Sequence, residues 1–230
     1  MLVRLLLHLV QQNNWPASLP RYTRKMKSAE IRQKYDETAH GYDWKIALLE
    51  RVSGAHRLRE KLLKKARGKV LDVACGTGRN FSYFPKDCQV TGIDLSPAML
   101  ELARKKAENL SLDVQLIAQD VEQLDFSSQS FDTVVSSLAV CTYPHPIEAI
   151  KEMTRVCKKG GRLLLLEHGR SDWSLLAHVQ DVCADRFAKH SGCTINREPL
   201  ALAQAAGIKI LSHRKSCAGV LHIIEAEPRK

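Results

Sequence analysis

The sequence predicts an α/β fold with a mostly parallel sheet and helices on both faces, and three observations support this. After Gly68, short strand-like runs alternate with helical segments. The runs are apolar at nearly every position, which is typical of parallel strands buried on both faces. The last two runs, 209–216 and 219–227, are separated by a short Cys-Ala-Gly connection. So short a connection forces an antiparallel pair, because a parallel pair needs a crossover of about a dozen residues.

The helices and strands can be placed in order along the chain. A short helix is predicted over 28–38 with Ser28 as its N-cap, and a longer one over 46–66. The face of the longer helix opposite its apolar positions carries Arg59, Lys61, Lys64 and Lys65. The predicted strands are 69–75, 89–94, 114–120, 130–140, 162–168, 209–216 and 219–227. The remaining helices are 96–110, 146–156, 173–188 and 196–206, the last starting at Asn196.

The formal net charge of +10 over 230 residues is concentrated near the N-terminus. Residues 1–29 hold five basic residues and no acidic one, and 45–69 hold nine basic and two acidic, whereas 70–230 hold nineteen of each. A nucleic-acid binder is expected to be basic over its binding domain, so we expect no nucleic-acid partner. The basic segment 45–69 is either a solvated helix surface or a contact with an anionic membrane.

Residues 1–27 begin with the apolar MLVRLLLHLV and end in the basic RYTRKMK. An acid-free, arginine-bearing start that can form an amphipathic helix is typical of a mitochondrial import segment, so we predict a mitochondrial protein. A membrane-surface helix or a disordered tail is the alternative, and the protein would then be cytoplasmic. The domain itself is predicted to occupy 28–230.

Seven cysteines are scattered through apolar contexts, and no pair has CxxC spacing. This pattern predicts neither a disulfide framework nor a metal site. We expect most of these residues to be small buried hydrophobes in a reducing compartment.

The first predicted strand runs into a glycine turn, DVACGTGR (72–79). Gly76 and Gly78 let the backbone turn sharply and approach a ligand closely. Asp94 ends the second strand, where a carboxylate can accept hydrogen bonds from both hydroxyls of a ribose. Two features oppose a dinucleotide: Phe81 replaces the third glycine of GxGxxG, and Asp72 would repel a pyrophosphate but suits an ammonium group.

The third strand ends at Asp120, which is followed by Val121. A carboxylate and a backbone amide at this place suit the amino group and a ring nitrogen of adenine. Binding elements for an amino acid, a ribose and an adenine together predict S-adenosyl-L-methionine as the cofactor.

With these motifs the sequence resembles the class I S-adenosylmethionine-dependent methyltransferases, in the type 11 or ubiquinone-biosynthesis-like branch. The matching segments are YDETAHGYD (35–43), LDVACGTGR (71–79), GIDLSPAMLELAR (92–104), Asp120-Val121, SFDTVVSSLAV (130–140) and RVCKKGGRLLLLEHG (155–169). The resemblance covers about 30–227 and implies a Rossmann-like seven-stranded sheet with an antiparallel last strand. It also implies a set of cofactor-binding residues: Tyr35, Asp72, Ala74, Gly76, Gly78, Asp94, Leu95, Met99, Asp120, Val121, Ser137 and Leu138.

Methyl transfer from a sulfonium is an in-line displacement, so the protein must align the nucleophile with the methyl group and exclude water. An oxygen nucleophile also needs a base. We predict His168 and Tyr143 as catalytic candidates, and Glu167 and His145 lie at the same strand ends. Structural roles remain open for each of them.

The segment 168–199 commonly forms the substrate cover in this family. Here it resembles both fungal mitochondrial methyltransferase-like proteins and animal membrane-associated thiol methyltransferases. Trp173, Leu175, Leu176 and Val179 would form an apolar lid or pack on the sheet. The predicted acceptor is a small or lipophilic molecule: a thiol, a quinol precursor or an aminophospholipid. A non-catalytic, cofactor-binding mitochondrial assembly factor and an RNA methyltransferase remain alternatives.

Overall fold

The computed structural model describes residues 26–229, apart from the side chain of Lys45. The segment 1–25 contains most of the predicted import leader, so that prediction falls outside the described residues.

The helices and strands alternate after an N-terminal helical region. That region comprises α1 (Ser28–Thr38), α2 (Tyr42–Ser53) and α3 (Ala55–Leu63). The strands are β1 (Lys69–Val73), β2 (Gln89–Asp94), β3 (Val114–Ala118), β4 (Phe131–Ser137), β5 (Cys157–His168), β6 (Lys209–Ser216) and β7 (Leu221–Glu227). The later helices are α4 (Pro97–Asn109), α5 (Pro146–Val156), α6 (Ser174–Ser191) and α7 (Pro199–Ala205).

Across residues 26–229, seven strands form one sheet in the order β3-β2-β1-β4-β5-β7-β6. The first five strands in this order pair in parallel, whereas β7 pairs antiparallel with both β5 and β6. The predicted fold class is therefore confirmed. The reversal of order on the two sides of β1 and β4 creates a crevice at the carboxyl ends of these strands, where ligands bind in open α/β sheets.

The core consists of two apolar clusters, one on each face of the sheet. Neighbouring residues of β1 divide between them: Val70 joins the cluster under α3 and α4, and Leu71 joins the cluster under α5 and α7. All three β1 residues from Val70 to Asp72 are fully buried. Burial on both faces explains the apolar character of the central strands β1, β4 and β5.

The prediction of one helix over 46–66 is wrong, because the chain breaks at Gly54. This glycine has φ +74° and ends α2 in the left-handed conformation that favours glycine. The change of direction leaves Leu48 and Val52 of α2 exposed, and it buries Arg59, which the sequence placed on a solvated face.

Two predicted helix starts are also wrong. The N-cap of α1 is Lys27, and Ser28 is the first helical residue. The last helix begins at Pro199, where the fixed φ of proline suits the first helical position. Asn196 instead donates a hydrogen bond of 3.0 Å to the Asp181 carboxylate.

No helix in residues 26–229 combines the length and the apolar character needed to cross a membrane.

Candidate active site

A cleft opens at the carboxyl ends of β1–β4, beneath α1. It encloses about 710 Å³ of space, open solvent at its mouth included. Ten of the twelve residues predicted to bind the cofactor line it: Tyr35, Ala74, Gly76, Asp94, Leu95, Met99, Asp120, Val121, Ser137 and Leu138. The fold thus brings together residues that are spread over about half the chain.

The two glycines of the first loop differ in what surrounds them. A Cβ on Gly76 would meet no atom within 4 Å, so that side of the backbone faces the open cleft. A Cβ on Gly78 would lie 2.5 Å from the Phe81 ring. Both have positive φ, at +55° and +76°. Gly76 therefore leaves room for a ligand, whereas Gly78 leaves room for a core side chain.

Asp94 fixes the loop and faces the cleft. Its carboxylate accepts hydrogen bonds of 2.8 Å from the backbone N–H groups of Gly76 and Ser96. Burial raises the pKa of Asp94 to about 6, against these two stabilising bonds. A carboxylate held in this way keeps lone pairs free to accept hydroxyl groups of a ligand.

Helix α1 is attached over the cleft by polar bonds. The Ser96 hydroxyl donates to the Asp36 carboxylate at 2.5 Å and accepts from the N–H of Met99 at 3.1 Å. Tyr35 of α1 packs edge-on against Tyr42 of α2, with ring centroids 6.1 Å apart. These contacts bring two aromatic rings together in the lining of the cleft.

Asp72 lies behind the glycine loop and does not line the cleft. It is fully buried, and Asn80 donates to its Oδ1 at 2.7 Å. Burial raises the pKa of Asp72 to about 7. Asn80 in turn accepts from Arg59, whose guanidinium also donates to Glu50. A buried chain of polar contacts thus connects α2 and α3 to the loop.

Several buried polar atoms at the cleft have no partner among the described residues. They are Oε1 of Gln119 and Oγ of Ser137, which line the cleft, and Oδ2 of Asp72 behind it. Buried polar groups are normally satisfied, so these atoms indicate a polar ligand.

Comparison with known proteins agrees with this chemistry. A methyltransferase domain family matches residues 71–165. A phosphatidylethanolamine N-methyltransferase from Cereibacter sphaeroides is 38% identical over 154 residues, covering 64% of this chain and 75% of that protein. The chain belongs to the class I S-adenosylmethionine-dependent methyltransferases.

Two further relatives are longer than the region they share with this chain. The mitochondrial methyltransferase OMS1 of Saccharomyces cerevisiae is 28% identical over 212 residues, covering 84% of this chain and 45% of that protein. The human thiol S-methyltransferase TMT1B is 32% identical over 145 residues, covering 60% of this chain and 59% of that protein. The chain therefore spans about half the length of these two relatives.

S-adenosylmethionine is the cofactor of this family, and the residues of the cleft fit it. Asp94, Asp120 and Val121 line the cleft together with Gln119, whose unpaired oxygen can accept a hydrogen bond from an amino group. The backbone at Gly76 leaves open space beside these groups. The unpaired Oδ2 of Asp72 lies behind the glycine loop and does not line the cleft.

Glu167 supports the loop that follows β4. It is fully buried and accepts from the Ser136 hydroxyl at 2.6 Å and from the N–H groups of Ala139 and Val140 at 2.9 and 3.0 Å. Burial raises its pKa to about 7. With these bonds made, Glu167 holds the loop in place, and Leu138 adopts φ +57° at its start.

The two predicted catalytic residues lie in different surroundings. Tyr143 lines the cleft, is 5% exposed and has its hydroxyl 3.3 Å from that of Ser136. Burial raises the pKa of Tyr143 well above its usual value, so the phenol keeps its proton and can donate a hydrogen bond. His168 is not among the lining residues, and its Nε2 is 3.1 Å from Sγ of Cys193. Their catalytic roles stay predictions.

His145 and the candidate lid residues do not line the cleft. His145 is exposed and pairs with Glu122 at 2.8 Å, away from the cleft. The candidate lid residues Trp173 and Leu175 are about 70% exposed, and none of the cleft's described lining residues comes from 168–199.

Sequence reasoning missed Gln119 and Arg32 in the lining of the cleft, and it also missed the burial of Arg59. For Gln119, the signal available was its place just before Asp120.

Proposed function

We propose that the protein transfers a methyl group from S-adenosylmethionine to a small or lipophilic acceptor. The observation that carries this proposal is the cleft itself, in which ten predicted cofactor residues meet beside two unpaired buried polar atoms. An intact set of this kind favours catalysis over the non-catalytic assembly role. The neutral charge of residues 70–230 argues against RNA as the acceptor.

In this reaction the cofactor supplies an activated methyl group, and the chain's residues align it. Asp94 and the loop at Gly76 hold the cofactor from one side, and Leu95 and Met99 enclose it from the α4 side. Tyr35 and Tyr42 cover the mouth. The geometry supports catalysis by positioning and water exclusion, which account for a large part of the rate enhancement in displacement reactions.

The acceptor enters near the loop after β4. Ser137, Leu138 and Tyr143 lie on that side of the cleft, and the protonated Tyr143 can orient an acceptor heteroatom. The relatives named above act on a phospholipid amine and on thiols, so these two classes and quinol precursors are the acceptors to assay.

Cofactor binding and turnover test the proposal in sequence. Calorimetric titration with S-adenosylmethionine compares the native chain with Asp94→Asn and with Asp113→Asn, an exposed aspartate that does not line the cleft. We expect Asp94→Asn alone to weaken binding. Release of S-adenosylhomocysteine is then measured on thiols, quinol precursors and aminophospholipids. Absence of binding refutes the cofactor assignment, and binding without turnover on any acceptor favours the assembly role.

We also propose that α2 docks on a membrane surface. Trp44, Leu48 and Val52 recur every fourth residue along α2 and are 67%, 58% and 83% exposed. This row of apolar side chains begins just before the basic segment 45–69 and continues within it, a combination typical of a helix lying on an anionic bilayer.

Vesicle co-sedimentation tests this docking with anionic and neutral lipid. A fully buried valine or leucine contributes ~1.5–3 kcal/mol, so Val52→Asp should weaken binding to anionic vesicles by about tenfold or more. Leu110→Asp is the control, because Leu110 is also exposed, at 41%, but lies at the end of α4. Equal binding by both variants refutes docking through α2.

A mitochondrial location is supported by the acid-free basic segment 1–27 and by the mitochondrial relative in yeast. Cell fractionation with N-terminal sequencing of the recovered protein tests it. Recovery from the cytosol alone contradicts it.

A further inference from the structure

Three potential metal ligands converge beside the cleft. Cys141 follows β4, His168 ends β5, and Cys193 follows α6. Their ligand atoms all lie within 4.8 Å of one another, and Nε2 of His168 is 3.1 Å from Sγ of Cys193. The ligands are 27 and 25 residues apart in sequence, so no spacing motif marks them, and the sequence predicted no metal site.

The backbone holds these three residues close together. The N–H of Thr194 donates to the carbonyl of Cys141 at 3.0 Å, which joins the two cysteine segments directly. Arg197 donates to the carbonyl of Val140 and strengthens the same junction. His168 is fixed by the antiparallel pairing of β5 with β7. The cluster thus joins one residue at the end of a strand to two loop residues whose segments are hydrogen-bonded to each other.

Two thiolates and one imidazole form a ligand set that zinc prefers. In a tetrahedral site with Zn–S near ~2.3 Å and Zn–N near ~2.0 Å, neighbouring ligand atoms lie roughly 3.5–3.8 Å apart. The Nε2–Sγ distance of 3.1 Å is somewhat shorter than this range, and no separation in the cluster exceeds 4.8 Å. Three protein ligands with the fourth position open are the arrangement of reactive zinc sites, whereas structural sites have four.

The loop that carries Cys141 borders the cleft. Cys141 is buried, while His168 and Cys193 keep partial exposure. Leu138, Ala139, Thr142 and Tyr143, all within three residues of Cys141, line the cleft. On the other side, a Cβ on Gly192 would lie 3.7 Å from the ring of Tyr35, which covers the cleft mouth.

We propose that Cys141, His168 and Cys193 bind a thiophilic divalent cation, with zinc as the natural choice, and that its fourth position receives the thiolate of a thiol acceptor. The acceptor part rests on the proposed methyltransferase function. The thiol loses its proton to solvent on binding. Its sulfur then forms a bond to the methyl carbon while the bond from that carbon to the cofactor's sulfonium sulfur breaks. The products are a thioether, which is a weaker metal ligand, and S-adenosylhomocysteine. His168 is in this arrangement a metal ligand and not a general base.

Cobalt titration of the full chain tests the site. The chain is reduced with a phosphine, stripped with a chelator and titrated with Co²⁺, and thiolate-to-cobalt absorption reports sulfur ligation. We expect one Co²⁺ per chain, displaced by Zn²⁺. Cys193→Ser should weaken binding by more than about 100-fold. Cys183→Ser is the matched control, since Cys183 is equally half-exposed and lies on α6.

A second step tests the fourth position. Addition of a small thiol should increase the thiolate-to-cobalt absorption of the native chain, and S-adenosylmethionine binding is measured on the same samples. A chain that binds the cofactor but takes up no more cobalt than Cys193→Ser overturns the metal site alone. Cobalt bound without response to thiol overturns the acceptor assignment. Identification of a Cys141–Cys193 disulfide that re-forms as soon as the phosphine is removed, with no cobalt bound before, also overturns the site.

Discussion

The buried guanidinium of Arg59 provides the sharpest test of how the N-terminal helices support the cofactor loop. Arg59 is 4% exposed and donates to Glu50, which is also 4% exposed, and to Asn80. Its replacement by alanine removes the cation and leaves both acceptors buried. A loss of stability in this variant therefore reports the buried network and not the removal of a surface charge.

The magnitude follows from what remains after the substitution. Removing one partner of a buried ion pair costs about 3–5 kcal/mol. Here Arg79 still donates to Glu50 at 2.8 Å, so the carboxylate keeps one cation and the lower end, about 3 kcal/mol, is expected. The total free energy of unfolding of an ordinary domain is about 5–15 kcal/mol. Arg59→Ala should therefore remain folded near room temperature, but it should unfold at a clearly lower denaturant concentration than the native chain.

Urea unfolding monitored by circular dichroism measures this loss, with Arg57→Ala as the control. Arg57 lies on the same helix but is exposed, so its loss should cost less than about 0.5 kcal/mol. Cofactor affinity should fall as well in Arg59→Ala, because Asn80 loses the partner that orients it toward Asp72. Equal stability of the two variants, or a loss below about 1 kcal/mol for Arg59→Ala, would refute the reasoning.

Two other predictions concern the cleft. Cofactor affinity should rise between about pH 5 and pH 7, because the pKa of Asp94 in the free protein is raised to about 6 and only the ionised carboxylate accepts both ribose hydroxyls. Asp94→Asn should flatten that rise in calorimetric titrations, and an unchanged profile contradicts the assignment. Gly78→Ala should destabilise the fold by about 2 kcal/mol or more, since its Cβ meets Phe81 at 2.5 Å, whereas Gly76→Ala should cost less stability but weaken cofactor binding. Thermal unfolding and cofactor titration of both variants test this. A larger loss of stability in Gly76→Ala than in Gly78→Ala would contradict it.

The parts of the fold that follow local rules could be predicted from the sequence. β2 and β6 have the predicted bounds, because turn residues flank both strand-like runs. The hairpin of β6 and β7 followed from the length of its connection alone. The break at Gly54 could not be predicted in the same way, because apolar spacing continues through it and only the packing of α3 shows that the helix must turn.

The residues of the candidate site also fall into two groups: those that local sequence patterns predict, and those that only long-range contacts bring together. Gly76, Asp94 and Asp120 stand at strand ends, and parallel strands bring their carboxyl ends to one edge, so a one-dimensional pattern is enough to collect them. Arg59 and the Cys141–His168–Cys193 cluster obey no such rule. Arg59 occupies a position that looks like a solvated helix face, and it is buried only because Glu50 and Asn80 approach from other segments. The cluster likewise exists only because the segment after α6 pairs its backbone with the loop after β4. Buried charges and ligand sets formed by long-range contacts therefore require the fold, and they are where variants of this protein will be most informative.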